Sequence, residues 1–435
     1  MKKNVIVLII SVIFSAGCGA ENLLALYEMA RENDSLIRSA KANQKAEYEA
    51  ENIAFSDLLP SLNLGGDYSY TQNNIKSSPT LATGIKKFTS NSASLTLRQP
   101  LFRQDRFLAL QKSKTEVKKS DNKLKIAEQD LIMRLSRSYF NILSKKDGLL
   151  FSEKEERAIS RQLQQEKERF SVGLVAITSV LEVQARYDRS KASLILARSK
   201  LDNAIEEIRE IIKNSDGKIA PLKDNITLVN PTPNTVDHWI NLALKNNPEV
   251  LVARLNREIA YKDMKIQRSG HLPKIDLVGS VGKTRIEDNK GTDTDTAVIG
   301  IELQIPIYSG GKTSSAYRQA SFRYDSAKEL LEKEERSIRR RVRESFLGVQ
   351  SSISTVKAFE ATEKSAIAAL EATEAGFEAG TRSLVDVLNS QRDFFRARKD
   401  YAQSKYDYIL HTLTLLQSAG VLAREDIIRV NNWLE

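Results

Sequence analysis

Proline is absent from two long stretches of this 435-residue chain, and that absence limits the possible folds more than any other feature of the sequence. All nine prolines lie elsewhere, at Pro60, Pro79, Pro100, Pro221, Pro231, Pro233, Pro248, Pro273 and Pro306, so residues 101–220 and 307–435 contain none. Proline removes a helical hydrogen bond, and its ring clashes with the preceding turn. Both stretches can therefore form very long helices.

Apolar residues recur along both stretches at the spacing of one helix face. The set in the first stretch is Leu124, Leu131, Leu135, Ile142 and Leu149, then Val180, Tyr187, Leu194, Leu201 and Ile208. Adding 207 to each number gives Leu331, Ile338, Val342, Val349 and Val356, then Val387, Phe394, Tyr401, Tyr408 and Leu415. One offset for ten positions predicts a tandem duplication of a module that is too long for a solenoid repeat.

A short break separates the two apolar series of each half. The breaks span 169–173 and 376–380 and end in Gly173 and Gly380, and glycine is the usual residue where a helix ends in a left-handed turn. The proline-free stretch from Leu101 to the first break has about 70 residues. At a rise of 1.5 Å per residue this is roughly 100 Å of helix. We therefore predict straight, very long helices that run alongside one another and are separated by short breaks, as would suit the wall of a tube.

The segments ahead of the long helices alternate apolar and polar residues with a period of two, which predicts four strands in two hairpins. These segments are 61–70, 93–98, 275–282 and 299–305, with loops expected at about 71–88 and 287–294. A proline flanks each strand on its helix side, and these junction residues are Pro60, Pro100, Pro273 and Pro306. Such strand lengths are near the roughly 10 residues that cross a bilayer at a tilt.

An open four-stranded sheet in lipid would leave unpaired backbone groups at both edges, and each would cost several kcal/mol. One chain therefore cannot close a barrel. Barrels with even strand numbers from about eight upward are known, so two copies could supply eight strands and three could supply twelve. Eight strands leave an interior filled by side chains, whereas twelve can leave an open lumen. A duct would need at least three copies.

Residues 1–20 are interpreted as an export signal, because two lysines precede the apolar run Val5–Phe14 and small residues end it, with cleavage after Ala20. A lipid-anchored alternative would use Cys18, but Ser15 stands where a bulky aliphatic residue is usual. Since Cys18 is the only cysteine, the mature chain would lack disulfides, thiol nucleophiles and cysteine-ligated metals.

Other function classes find little support. The net charge of +10 comes from lysines and arginines interleaved with acids, which predicts solvated helix faces and no nucleic-acid partner. The three histidines are far apart, and Gly310-Gly311-Lys312 lacks the spacing of a phosphate-binding loop, so neither a cofactor nor an enzymatic reaction is expected. A soluble periplasmic adaptor built on coiled-coil hairpins is the rival interpretation. It explains the helices but not the four strands.

Several stretches closely resemble the TolC family of outer-membrane channels. They are 21–27, 58–70, 172–178, 272–275, 306–311 and 380–388, the last reading Gly380-Thr381-Arg382-Ser383-Leu384-Val385-Asp386-Val387-Leu388. The resemblance implies a homotrimer in which four strands from each copy form one twelve-stranded outer-membrane β-barrel, continued by a twelve-helix periplasmic α-barrel. It also implies docking to a periplasmic adaptor and an inner-membrane pump or ABC exporter, for drug efflux or type I secretion.

The same resemblance divides the chain into segments. They are a signal peptide at 1–20, a first repeat at 21–213 (helices 21–59 and 101–213, strands 61–99), an equatorial linker at 214–247, a second repeat at 248–420 (helices 248–272 and 307–420, strands 274–306) and a C-terminal equatorial segment at 421–435. The turns near Gly173 and Gly380 would form the periplasmic tip.

Two positions match the residues that line the family's periplasmic mouth. The family pattern Asp-Val-Leu-Asp here ends in asparagine, so Asp386 would form a ring of three carboxylates and Asn389 a neutral ring. Like charges in a narrow mouth attract cations, and we expect a cation preference weaker than with two acidic rings. Without the resemblance, Asp386 would only be an acid favoured by the dipole of a helix N-terminus.

Arg382 matches the arginine that restrains the closed mouth in the family, although alone it would be interpreted as a solvated charge. Its partners by resemblance are Thr178, Ser179 and Gln162. Ser179 replaces an aspartate and cannot form an ionic link, and Phe377 replaces a tyrosine and lacks the hydroxyl. Because charge-assisted hydrogen bonds are about twice as strong as neutral ones, a weaker restraint is expected.

Overall fold

A computed structural model of the chain describes residues 21–77, 83–213, 217–224, 226–287 and 291–435. The predicted signal peptide, residues 1–20, lies outside these ranges. The helices in them are α1 (Leu23–Asn33), α2 (Ser35–Ser56), α3 (Gln104–Ser171), α4 (Ile177–Ile212), α5 (Val236–Asn246), α6 (Pro248–Ser269), α7 (Lys312–Glu378), α8 (Leu384–Ser418) and α9 (Arg424–Asn431). The strands are β1 (Ser61–Ile75), β2 (Gly84–Phe102), β3 (Lys274–Glu287) and β4 (Thr292–Gln304).

The duplication extends to every element before α9. α1 and α5 have 11 residues each, α2 and α6 have 22 each, α3 and α7 have 68 and 67, and α4 and α8 have 36 and 35. The offset is 213 both from α1 to α5 and from β1 to β3, whereas it is 207 between the long helices. The second strand hairpin is therefore six residues shorter than the first.

The short helices differ from the prediction in two ways: a local cap divides the first predicted helix, and the predicted linker contains a helix of its own. The predicted helix 21–59 divides at Asp34, whose side chain accepts a hydrogen bond from the Ile37 amide at 2.8 Å and so caps α2. The predicted linker 214–247 contains α5, and Asn247 with Pro248 at the first helical position begins α6. The segment 421–435 contains α9.

The four strands form one antiparallel sheet in the order β1-β2-β3-β4. They are longer than predicted, and the expected loop at 71–88 is wrong at both ends, since β1 continues to Ile75 and β2 begins at Gly84. The extra pairs, such as Gln72 with Lys87 and Asn74 with Ile85, contain few apolar residues and show no regular alternation. Pro100 lies inside β2 and not after it, at a register shift between Pro100 and Phe102, where a missing N–H is tolerated.

The sheet has one apolar and one polar face. The register aligns Leu64 with Leu95, Leu95 with Val281, and Val281 with Ala297, so apolar side chains form rows across all four strands. This face is uncovered, and Leu64 and Ile299 are each 81% exposed. β1 and β4 form the two edges, and in the described part of the chain each pairs with one strand only, β1 with β2 and β4 with β3.

The helices form a strip one layer thick. Near the sheet the order is α2-α3-α6-α7, and towards the far end it is α4-α3-α8-α7. Most buried residues belong to one cluster, here named the equatorial core, which includes Tyr139, Ile142, Ile208 and Tyr408 and to which α1, α5, α9 and the linker also contribute. None of the helices in the described ranges is both long enough and apolar enough to span a membrane.

Candidate functional site

The far end of the helices, here named the tip, contains two turns with the same backbone geometry. Gly173 has a φ of 77°, and the Leu174 amide donates to the Arg169 carbonyl at 2.8 Å. Gly380 has a φ of 75°, and the Thr381 amide donates to the Gly376 carbonyl at 2.8 Å. These bonds close the ends of α3 and α7 with a left-handed residue, which glycine adopts without strain. The turns place the predicted mouth residues at one end of the molecule.

Asp386 is part of a reciprocal cap at the start of α8. Its amide donates to Ser383 Oγ at 3.2 Å, and its carboxylate accepts from Ser383 Oγ at 2.7 Å and from the Ser383 amide at 3.0 Å. The Ser383 bonds, with a smaller contribution from Arg382, lower the pKa of Asp386 below its ordinary value. The corresponding helix α4 begins after Ala176 without a side-chain cap. Sequence analysis missed this role of Ser383, although serine followed three residues later by an acid is its signature.

Asn389 and Leu388 connect the second hairpin to the first. Arg186 Nη1 donates to Asn389 Oδ1 at 3.4 Å, so this amide is engaged by a cation of the same chain. Leu388 packs in a small cluster, here named the tip cluster, whose other buried members are Ile159, Leu163, Val180 and Val183. No sequence pattern indicates the role of Arg186, because the contact joins residues 203 positions apart.

Arg382 does not reach its predicted partners within one chain. Its backbone amide donates to the Gly376 carbonyl at 3.1 Å, and no hydrogen bond joins it to Thr178, Ser179 or Gln162 in the part of the chain that the structure describes. Gln162 is 8% exposed on α3. Phe377 lies 6.0 Å from the Arg169 guanidinium carbon, measured to the ring centre.

Comparison with known proteins identifies the architecture. The sequence pattern of the family "Outer membrane efflux protein" matches residues 26–212 and 239–421, one block in each repeat. Outer membrane protein TolC of Vibrio cholerae is 34% identical over 426 residues, covering 97% of this chain and 95% of that protein. The alkaline protease secretion protein AprF of Pseudomonas aeruginosa is 29% identical over 418 residues, covering 94% and 86%.

The chain belongs to the outer membrane efflux protein family. The fold agrees: the CmeC outer membrane channel of Campylobacter jejuni superposes with a TM-score of 0.82 at 16% identity, covering 95% of this chain and 90% of that one. The protein is a non-enzymatic outer-membrane channel with a large periplasmic part. As a homotrimer it forms an exit duct for efflux, for type I secretion or for both, together with an adaptor and an inner-membrane pump or ABC exporter.

A network of charged residues lies on the polar face of the sheet, near the helices. Arg98 Nη1 contacts Asp276 Oδ2 and Glu302 Oε2, both at 2.9 Å, and Arg103 Nη1 reaches Asp276 Oδ2 at 3.2 Å. Asp276 is only 6% exposed, so two arginines compensate a buried carboxylate. Sequence analysis did not single out this network, because its members come from β2, β3, β4 and the β2–α3 junction.

The junction prolines lie around this network. Pro60 precedes β1, Pro273 precedes β3 and Pro306 follows β4 by two residues. Proline cannot donate to a strand ladder and cannot continue a helix, so these three positions mark where strand pairing stops.

Proposed function

We propose that copies of the chain join into a ring through one repeated contact, here named the seam. We also propose that Arg382 restrains the mouth of the channel across that seam. The observation that carries the proposal is a sheet and a helical strip that both end in uncovered edges. β1 and β4 are the strand edges, and α2, α4 and α7 are the helix edges. Joining unlike edges is a heterologous contact, which forms a ring when the rotation closes.

Exposed apolar side chains concentrate on these helix edges. They are Leu36, Tyr48, Ile53 and Phe55 on α2, Leu181, Ile195 and Leu196 on α4, and Phe322, Leu330 and Leu347 on α7. Phe322 is 72% exposed and Ile53 is 66% exposed. Burying such side chains is worth about 1.5–3 kcal/mol each, which favours edge-to-edge association.

The internal duplication supplies a template for the seam. Within one chain, α6 packs on α3. The duplication makes α2 the counterpart of α6, and α7 the counterpart of α3. We therefore expect α2 of one copy to pack on α7 of the next copy in the way that α6 packs on α3. In the template, Lys262 Nζ donates to Thr115 Oγ1 at 2.5 Å and to the Gln111 carbonyl at 3.0 Å. The counterpart of Lys262 is Glu49, and that of Gln111 is Arg318. Both are exposed and opposite in charge.

The seam can be tested by disulfide cross-linking, since the chain after the predicted cleavage site lacks cysteine. The double variant Glu49→Cys with Arg318→Cys should give covalent trimers on oxidation, as judged on non-reducing gels. The matched control pairs Glu49→Cys with Arg336→Cys, which lies roughly 27 Å further along α7. Equal cross-linking in both variants, or none in the first, would contradict the seam.

The same seam brings the two tip turns of different copies together, because α4 and α7 are the edges at the tip. Arg382 of one copy would then bond Thr178, Ser179 and Gln162 of the next. Ser179 offers only a neutral hydroxyl, so the restraint is weaker than an ionic one. Asp386 at the same end would form the ring of carboxylates that gives the mouth its cation preference.

Single-channel conductance in planar bilayers tests the restraint. Ser179→Asp should lower the conductance of the closed state, because it gives Arg382 a charged partner. The matched control is Ser179→Asn, and a second control combines Ser179→Asp with Arg382→Gln. Equal closed-state conductance in the parent channel and in the Ser179→Asp and Ser179→Asn variants would show that Arg382 does not restrain the mouth through this position.

A further inference from the structure

A cavity of about 680 Å³ lies between the two helical hairpins, on the side of the equatorial core that faces the tip. Its wall is formed by α3 around Asp147, by α7 around Lys364, by α8 from Arg398 to Tyr406, and by linker residues 221–224. Small-molecule sites have volumes of roughly 300–1,000 Å³. The cavity is therefore large enough for an organic ligand, and it touches both hairpins.

Lys405 is the unusual residue of this cavity. It is only 9% exposed, yet no carboxylate lies within 4.0 Å of its Nζ in the described residues. Its ammonium contacts the Asp224 carbonyl at 3.3 Å and the ring of Tyr401 at 4.9 Å. Burial without a counter-ion lowers the pKa of Lys405, although Asp224 and Asp147 partly oppose this shift. A buried cation without an ion pair is costly and favours an anionic ligand.

None of the five carboxylates that line the cavity, Asp147, Glu153, Asp224, Glu360 and Glu363, forms an ion pair with Lys405 within 4.0 Å. Glu360 pairs with Lys364 at 2.7 Å, and Glu363 approaches Arg398 at 3.7 Å. Asp147 accepts from Tyr406 Oη at 2.6 Å, and burial raises its pKa. The wall is mixed: besides charged side chains it contains an apolar part, formed by Leu143, Leu149, Leu150, Phe151 and Leu222 together with Tyr401.

We propose that this cavity binds a small aromatic carboxylate, whose charged group pairs with Lys405 and whose ring packs against the apolar wall. An aromatic ring fits because Phe151 and Tyr401 line the cavity, and ring pairs add favourable contacts beyond area burial. A carboxylate fits because it can accept charge-assisted hydrogen bonds from the Lys405 ammonium. Within the chain this ammonium contacts the Asp224 carbonyl and the Tyr401 ring. The site does not depend on the proposed seam or on the restraint by Arg382.

Calorimetry on the full-length channel in nanodiscs tests the site, with 2-naphthoate as the probe and uncharged 2-naphthamide as the control for partition into lipid. Saturable binding of one naphthoate per chain is expected, with at least tenfold weaker binding of the amide. Lys405→Met should weaken naphthoate binding at least tenfold, whereas Lys399→Met, which removes an exposed lysine of the same helix, should not.

A cavity-filling variant separates the site from an indirect effect of Lys405 on folding. Leu150→Trp keeps the lysine and should abolish binding, while the melting temperature of both variants stays within a few degrees of the parent. Equal binding of acid and amide, no saturable binding, or unchanged binding in both Lys405→Met and Leu150→Trp would overturn the proposal.

Discussion

The equatorial core and the tip cluster hold the same long helices in very different ways. In the equatorial core, side chains from both repeats, the linker and α9 are buried together, and Ile142, Ile208 and Ile409 are fully inaccessible. The tip cluster comprises a handful of residues, and Leu388 is its only buried member from the second hairpin in the described residues. Because stabilisation scales with apolar area removed from water, the first region anchors the helices, while the second can rearrange at low cost.

This difference matches what a gated duct needs. At the tip, the apolar contacts of α8 with the tip cluster come from Leu388 and the partly buried Leu384. The polar contact between α4 and α8 described there is the hydrogen bond from Arg186 to Asn389. Elements that move are drawn from regions with few buried contacts. The mouth can therefore change without loss of the fold, and substitutions in the two regions should have different consequences.

The largest effect is expected in the equatorial core. Ile142→Ala removes a fully buried side chain from α3, and such substitutions cost about 2–5 kcal/mol because a cavity remains. The temperature at which trimers dissociate, followed by gel mobility in detergent, should fall by several degrees. Leu150→Ala is the matched control on the same helix, since Leu150 is 44% exposed. Equal losses in both variants would show that the core does not anchor the helices.

A smaller effect on stability, but a larger one on conduction, is expected in the tip cluster. Leu388→Ala should cost about 2 kcal/mol locally, at the low end for buried leucine, because the sparse cluster can collapse around the gap. Single-channel recordings should show higher conductance, with a dissociation temperature close to that of the parent. Val385→Ala, at a position 37% exposed, is the control. A lower dissociation temperature without a change in conductance would remove the distinction between the two regions.

The helical part of this arrangement was predictable because its signal is periodic and repeated. None of the ten residues of the first apolar series, nor their ten counterparts, is exposed, and Ile338, Val342 and Tyr408 are among the most buried. A helix face determines such positions locally, and the duplication shows the pattern twice. The same reasoning missed the break at Asp34, because a cap of one residue interrupts a helix without disturbing the apolar pattern around it. It also missed α5 inside the predicted linker, since a helix of 11 residues is too short to show a long periodic series.

The polar contacts were less predictable, for a different reason. Arg98 and Asp276 are 178 residues apart and meet only because β2 pairs with β3, and Lys405 faces Asp224 only because the linker folds back on α8. Periodicity says which face is buried but not which distant charges meet on it. The residues proposed for the mouth came from a family pattern, and the proposed partners of Arg382 would lie across a contact between copies that one chain does not contain.

The reciprocal cap on α8 should give a moderate effect, confined to the tip. Ser383→Ala removes the hydroxyl that accepts from the Asp386 amide, and loss of such a cap costs about 1 kcal/mol. Amides near the start of α8 should exchange hydrogen roughly fivefold faster at pH 7, while those in the equatorial core stay unchanged. Ser390→Ala, in the interior of the same helix, is the control. Unchanged exchange near Asp386 would show that the cap does not hold the turn.

The cap should also respond to pH. The pKa of Asp386 is lowered in the folded chain, so its contribution is fully present above the ordinary carboxyl value of 3.8 and is lost as pH falls through the lower folded value. Between pH 7 and pH 5, exchange of the same amides, corrected for intrinsic rates, should not change. Opening of the turn within that range would exclude Asp386 as the titrating group.

The smallest effect is expected at Asn389, where the two hairpins touch. Asn389→Asp adds a second acidic ring, but Arg186 already donates to this side chain and would partly neutralise the new carboxylate. Reversal potentials in a salt gradient should therefore shift towards cations by less than the opposite shift caused by Asp386→Asn. The carboxylate of Asp386 bonds to Ser383 and to no cation in the described residues. Adding Arg186→Gln to Asn389→Asp should restore the full shift. If Asn389→Asp alone already changes selectivity as much as Asp386→Asn does, Arg186 does not hold the side chain at position 389, and the contact between the hairpins is weaker than the structure indicates.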